Sequence, residues 1–215
     1  MDMNIEKYKD ILKNISKSEL AIRNRAKEVH ADTNQIYGLG HEYAYHLNQV
    51  AYILVHYLYE IADHEDDVLP VIFAAYFHDS IEDARLTYND VMKIAKEYMS
   101  QEQARLATEI VYALTNEKGR NRHERANEKY YKGIRVTPYA AIVKASDRLA
   151  NYEYAKSDEG KESMQKAYTK EMDHFIESIT YDPTEYVDVD FLFRGYPEKT
   201  HTIPQGMIDR LKQSE

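Results

Sequence analysis

The sequence predicts an all-α protein, with one helical domain over residues 1–180 and an irregular extension over 181–215. Three observations predict it. Glycine and proline are scarce, 7 and 5 in 215 residues, so few positions interrupt a helix. Apolar residues recur at i, i+3, i+4 and i+7 through long stretches. The last 35 residues then change character: three of the five prolines (Pro183, Pro197, Pro204) fall there, and Val187–Phe193 alternates as an extended arm does.

Taken in order, residues 5–30 read as one or two amphipathic helices, and 31–40, rich in turn formers, as a loop. A helix from Tyr43 to about Ala62 carries His46, Val50, Ile53 and Tyr57 on one face. Asp63–Asp67 reads as an acidic loop. Its Asp-x-Glu-x-Asp pattern lacks the glycine and the distal glutamate of a calcium loop. Pro70 suits the first turn of a strongly apolar helix expected to run from Val71 to Asp83. Thr87 with Asp90, and Ser100 with Gln103, read as capping boxes opening two further helices. After a basic stretch, helices are expected from Val136 or Thr137 to Lys156 and from Lys161 to Ile179. Nothing repeats at a fixed period, and the length suits a single domain. The extension reads either as a short hairpin or as a tail that clasps a second subunit, making a homo-oligomer through the arm one expectation.

Composition excludes several classes of function. There is no cysteine, hence no disulfide, thiolate metal site or thiol nucleophile, and any metal must use histidine and carboxylate ligands. No apolar run approaches the ~18 residues of a membrane span, and the polar start offers no secretory h-region. A cytoplasmic protein with no membrane partner is expected. The net charge of −9 argues against nucleic acid as a partner. Between Lys118 and Arg135, however, seven basic residues face two glutamates, a local +5 that leaves −14 for the rest. That stretch reads either as a solvated face or as a wall that collects phosphate, with Arg122, Arg125 and Lys129 as candidate contacts.

One cluster carries chemistry. On a helix, His78, Asp79, Glu82 and Asp83 would share an arc of ~140°, directly after the apolar run Val71–Phe77. Three carboxylates there repel one another unless a cation or hydrogen bonds offset them. Imidazole and carboxylate together suit Mn, Fe, Co or Zn. The alternative is a helix end that merely turns polar. Two remote groups favour the metal: His46 on the inward face of its helix, and Asp147, four residues from both Val143 and Asn151. There is no phosphate-binding loop, dinucleotide fingerprint or Gly-x-Ser-x-Gly string. His30, His56, His64, His123, His174 and His201 show no partner pattern, and His41 reads as a rim residue.

The order of these pieces, a His, then His-Asp, then a distant Asp, resembles the HD superfamily of metal-dependent phosphohydrolases. Gly40-x-x-Tyr43-x-x-His46-x-x-x-Val50-Ala51, His78-Asp79-x-x-Glu82-Asp83 with Thr87 and Asp90-Val91, Leu114-Thr115, and Lys144-Ala-x-Asp147-Arg148-Leu149-x-Asn151 look like motifs of one branch. That branch is the hydrolase domain of RelA/SpoT-type alarmone enzymes and their small stand-alone relatives, which cleave pyrophosphate from the 3′ position of guanosine tetraphosphate. The resemblance spans about residues 20–160. It implies an HD-type helical domain, His46, His78, Asp79 and Asp147 as ligands of a divalent metal, and Glu82 and Asp83 as the pair that positions and deprotonates water. Mn²⁺ is the metal it implies first, with Fe, Co, Zn or Mg as alternatives. It also implies Asn151 as a nucleotide contact; Lys144 and Tyr154 join the candidates for substrate contact. The substrate expected is a phosphorylated nucleotide, first of all the alarmone, with a nucleotidase or phosphomonoesterase and a metal-retaining regulatory module as alternatives. The chain departs from the branch where a basic pair normally precedes the first motif, which here reads Gln35-Ile-Tyr-Gly-Leu. It departs again at Leu47, usually Pro, and at Tyr154, usually Thr.

Overall fold

A computed structural model describes residues 3–116, 120, 122–184 and 195–213, without the side chains of Arg122 and His123. Among the described residues the protein is all-α apart from one small hairpin. Helix α1 (Ile5–Ala31) is capped by Asn4, whose side chain accepts from the Lys7 amide. Two-residue strands β1 (Ile36–Tyr37), within the 31–40 segment expected to be a loop, and β2 (His41–Glu42), just after it, pair antiparallel. Gly38 and Gly40 both take positive φ at its tip, which a side chain would resist. Helices α2 (Ala44–Ile61) and α3 (Val68–Phe77) follow. Next come α4 (Tyr88–Ala95) and α5 (Gln101–Leu114), where both predicted capping boxes form. The rest of the helical chain is α6 (Arg122–Arg125), α7 (Glu128–Val136), α8 (Ala140–Lys156), α9 (Glu162–Ile179) and α10 (Gln205–Lys212).

Every residue of α3 is buried, as its unbroken apolar sequence requires of a helix surrounded on all sides. It packs against α1, α2 and α5, while α8 lies along α2 and carries α9 on its other side. No described helix is long and apolar enough to cross a membrane.

The apolar helix stops at Phe77, six residues before the end expected for it. The carbonyl of Ala75, which a continuing helix would offer to the Asp79 amide, receives the ring N–H of His78 at 2.9 Å. Ser80 N then bonds Phe77 O, Asp83 N bonds Asp79 O, and both Ala84 N and Leu86 N bond Ser80 O. With Arg85 at positive φ, residues 78–85 form a succession of turns rather than a regular helix. A single helical wheel therefore does not describe the four polar groups.

Of the C-terminal extension, residues 195–213 dock on the domain. Thr200, Met207 and Leu211 are fully buried. The Tyr139 amide bonds Thr200 O at 2.7 Å, and Lys199 Nζ donates to Ala62 O. Tyr139, whose amide makes the first of these bonds, takes a left-handed conformation at the start of α8. The alternating Val187–Phe193 stretch lies outside the described residues.

Candidate metal centre

Three parts of the fold meet at one point. His46 comes from the first turns of α2, His78 and Asp79 from the turn after α3, and Asp147 from the middle of α8. Among the described residues, His46, His78 and Asp79 offer ligand atoms all within 4.8 Å of one another. His78 Nε2 lies 2.9 Å from Asp79 Oδ2, and His46 Nε2 lies 3.8 Å from the same oxygen. Asp147 Oδ1 completes the group at 3.3 Å from His46 Nε2 and 3.7 Å from His78 Nε2. Both histidines are 2% exposed, too deep for their nitrogens to be left to solvent.

The His78 ring shows that a cation fits. Its Nδ1 lies against a carbonyl, which only accepts, so Nδ1 carries a hydrogen and Nε2 is the nitrogen turned toward the cluster. Although Nε2 is 2.9 Å from Asp79 Oδ2, the two make no aligned hydrogen bond. Nε2 and the carboxylate oxygen face a common point, where a cation or a proton would offset the carboxylate charge. Burial opposes charging His78, but Asp79 and Asp147 outweigh it and hold its pKa well above the ordinary range. Burial likewise opposes charging both aspartates. His78 outweighs it at Asp79, and Lys144 with the two histidines outweighs it at Asp147, so both carboxyls stay below the usual range. The donor set, two imidazoles and two carboxylates, suits a first-row divalent metal, for which a proton substitutes.

The remaining sequence candidates separate. Lys144 pairs with Asp147 Oδ2 at 2.9 Å, leaving Oδ1 to the cluster. Burial works against its charge, but Asp147 prevails and its pKa is raised. Asn151 donates to Asp147 Oδ1 at 2.6 Å and to its carbonyl at 3.1 Å, so it supports the ligand directly. Glu82 and Asp83, expected to act as a pair, part company. Both oxygens of Glu82 are taken by Asn116, from its backbone amide and its side-chain amide. Asp83 instead accepts from Tyr43 Oη at 3.0 Å, and the same hydroxyl lies 2.5 Å from Asp79 Oδ2. Burial and the nearby Asp79 raise the Asp83 pKa, against the lowering effect of bonds from Tyr43 and Gln35. Tyr154 holds the hairpin: its hydroxyl accepts from the Leu39 amide, and a side chain on Gly38 would collide with it. Arg125 and Lys129 are exposed on α6 and on the first turn of α7, and the ion pairs of His46, His78, Asp79 and Asp147 among the described residues include neither. The Arg122 side chain lies outside the described residues.

Four contributors escaped the sequence reading. Tyr37 stacks on His46 with ring centroids 4.8 Å apart and donates to Asn151 Oδ1. Tyr43, recognised only as a motif position, bridges the two aspartates. Asn116 follows directly on the Leu114-Thr115 pair, the one signal that pointed toward it. His30, in the last turn of α1, stacks on Tyr43 at 4.7 Å, and neither of its nitrogens completes a hydrogen bond among the described residues. Burial drives its pKa down to about 4, so the ring is neutral. Gln35 Oε1, also buried, is likewise unpartnered. Nothing in α1's periodicity marks His30, because the ring it stacks on, Tyr43, lies at the start of α2. Compared with known proteins, the chain matches no family model, no curated protein and no solved structure.

Proposed function

We propose that this protein is a metal-dependent phosphohydrolase of HD type acting on a phosphorylated nucleotide. The observation that carries the reading is the buried meeting of His46, His78, Asp79 and Asp147 around one point, with the carboxylate of Asp83 linked to it through Tyr43. The four ligands would hold a divalent metal, Mn²⁺ first. Bound there, the metal would acidify water and polarise a phosphoryl oxygen.

The chain's own groups set the rest. Asp83 has a raised pKa and stands outside the ligand set, as suits a general base. Burial and the neighbouring Asp79 keep the Tyr43 phenol un-ionised, so it donates rather than repels. Glu82 holds the chain after α5 through Asn116, which makes it a positioning residue and leaves proton transfer to Asp83. Lys144 neutralises the outer oxygen of Asp147.

Purified Mn²⁺-loaded protein incubated with guanosine tetraphosphate and a nucleotide panel tests the reading. Pyrophosphate release supports the alarmone substrate, and orthophosphate release supports a nucleotidase. A tightly held metal with no turnover on any substrate would replace the enzyme by a regulatory module.

A further inference from the structure

His30 is a buried imidazole that the proposed chemistry leaves unused. It is 1% exposed in the last turn of α1, with its ring flat on Tyr43. Burial holds the ring neutral, so it has one N–H to donate. Neither ring nitrogen makes an aligned hydrogen bond among the described residues. Buried donors rarely stay unpaired, because leaving one so costs its whole desolvation.

Five residues on, Gln35 Oε1 is in the complementary state, a buried acceptor without a donor. The turn that closes α1 sets the two near each other. Thr33 N and the Thr33 hydroxyl both bond His30 O, Asn34 N bonds Ala31 O, and the Gln35 side chain reaches the His30 ring. The same side chain also reaches Asp83. Chemistry decides which end of the amide faces which neighbour. A carboxylate only accepts, so the NH2 group of Gln35 faces Asp83 and its oxygen faces His30. An amide turned the other way would set its oxygen against the carboxylate, and the His30 N–H disfavours that orientation. Tyr43 has a single hydrogen for two carboxylates, Asp79 and Asp83, and so does not fix Asp83 by itself.

We propose that Gln35 is a positioning residue for Asp83, and that His30 sets the direction of the Gln35 amide by donating to its oxygen. The role of Asp83 as base rests on the phosphohydrolase reading; the bond from His30 to Gln35 does not.

Proton NMR of the full chain tests the first link. A ring N–H that is hydrogen-bonded and shielded from solvent should give a slowly exchanging downfield signal. Its loss in His30→Phe assigns it, and Gln35→Met should move or broaden it. The second link is read from kcat on the alkaline plateau, where Asp83 is deprotonated in every variant, at matched Mn²⁺ content. Gln35→Met should lower kcat by about ten- to hundredfold with KM changed less than about twofold. His30→Phe keeps a ring over Tyr43 and should lower kcat less, adding nothing further in the Gln35→Met background. A kcat that ignores Gln35→Met, additive effects of the two changes, or a His30 signal indifferent to Gln35 would overturn the inference. The His30–Gln35 signal in a protein that turns over no phosphorylated substrate would sink the phosphohydrolase reading, and the role of Asp83 with it, while the bond itself stands. Turnover that ignores Gln35→Met would do the reverse.

Discussion

Replacing Tyr43 by Phe removes one oxygen and keeps the ring that stacks on His30. The phenol has a single hydrogen to serve two carboxylates, Asp79 Oδ2 at 2.5 Å and Asp83 Oδ2 at 3.0 Å. Once a metal takes up the charge of Asp79, Asp83 is the acceptor that still needs it. A hydrogen bond to a charged group is worth ~1.5–3 kcal/mol, and one pKa unit corresponds to ~1.4 kcal/mol. Losing it should therefore raise the Asp83 pKa by at least about one further unit, above a value that burial has already raised. A general base works deprotonated, so the acid limb of kcat/KM should move about one unit to higher pH. Activity below that limb should fall roughly tenfold while the alkaline plateau changes little. The assay is a pH profile of kcat/KM at saturating Mn²⁺, with metal content checked at each point. An acid limb that stays within about 0.2 unit, in a variant that folds and holds its metal, would refute the link from Tyr43 to Asp83.

Asp79→Ala should lower Mn²⁺ affinity by more than about 100-fold in a direct metal titration, since even outer-shell changes commonly cost 10–100-fold. Unaltered binding and hydrolysis would remove the centre altogether. Chelating a metal present at ~100 times its Kd should cost ~2.7 kcal/mol of stability, read as a lower Tm in EDTA. Because a proton on His78 competes for the same place, the metal affinity should fall as the solution is acidified. His30 has a folded pKa of about 4 against an ordinary 6.5, so below pH 6.5 the unfolded chain takes up a proton that the folded chain refuses. Stability is complete above 6.5 and declines toward pH 4, by about 3 kcal/mol in all. In urea unfolding of metal-free protein, His30→Phe should lose that part of the slope. Gly38→Ala meets the Tyr154 hydroxyl and a φ of +59°, so hydrogen exchange at the Leu39 amide should accelerate while the global Tm changes little.

The helical architecture was legible because its signals are local. Capping at Thr87 and Ser100, the apolar run of α3 and the scarcity of glycine and proline act within a few residues of where they are written. His46, His78, Asp79 and Asp147 were also named from sequence, by their faces and by motif spacing, and the fold brings them together. Three things required the tertiary structure. The end of α3 at Phe77, with the His78 ring on the carbonyl of Ala75, is a feature that residue spacing does not record. The division of labour between Glu82 and Asp83 depends on which remote donor reaches each carboxylate, Asn116 or Tyr43. The covering of His46 by Tyr37, and the seat of His30 against Tyr43, depend on a hairpin and a helix end that sequence alone leaves unconnected to the site. The candidate residues could be named from residue chemistry and motif spacing, which a linear chain carries. The protonation and reach of each ligand follow from partners far apart in sequence, which only packing places in contact.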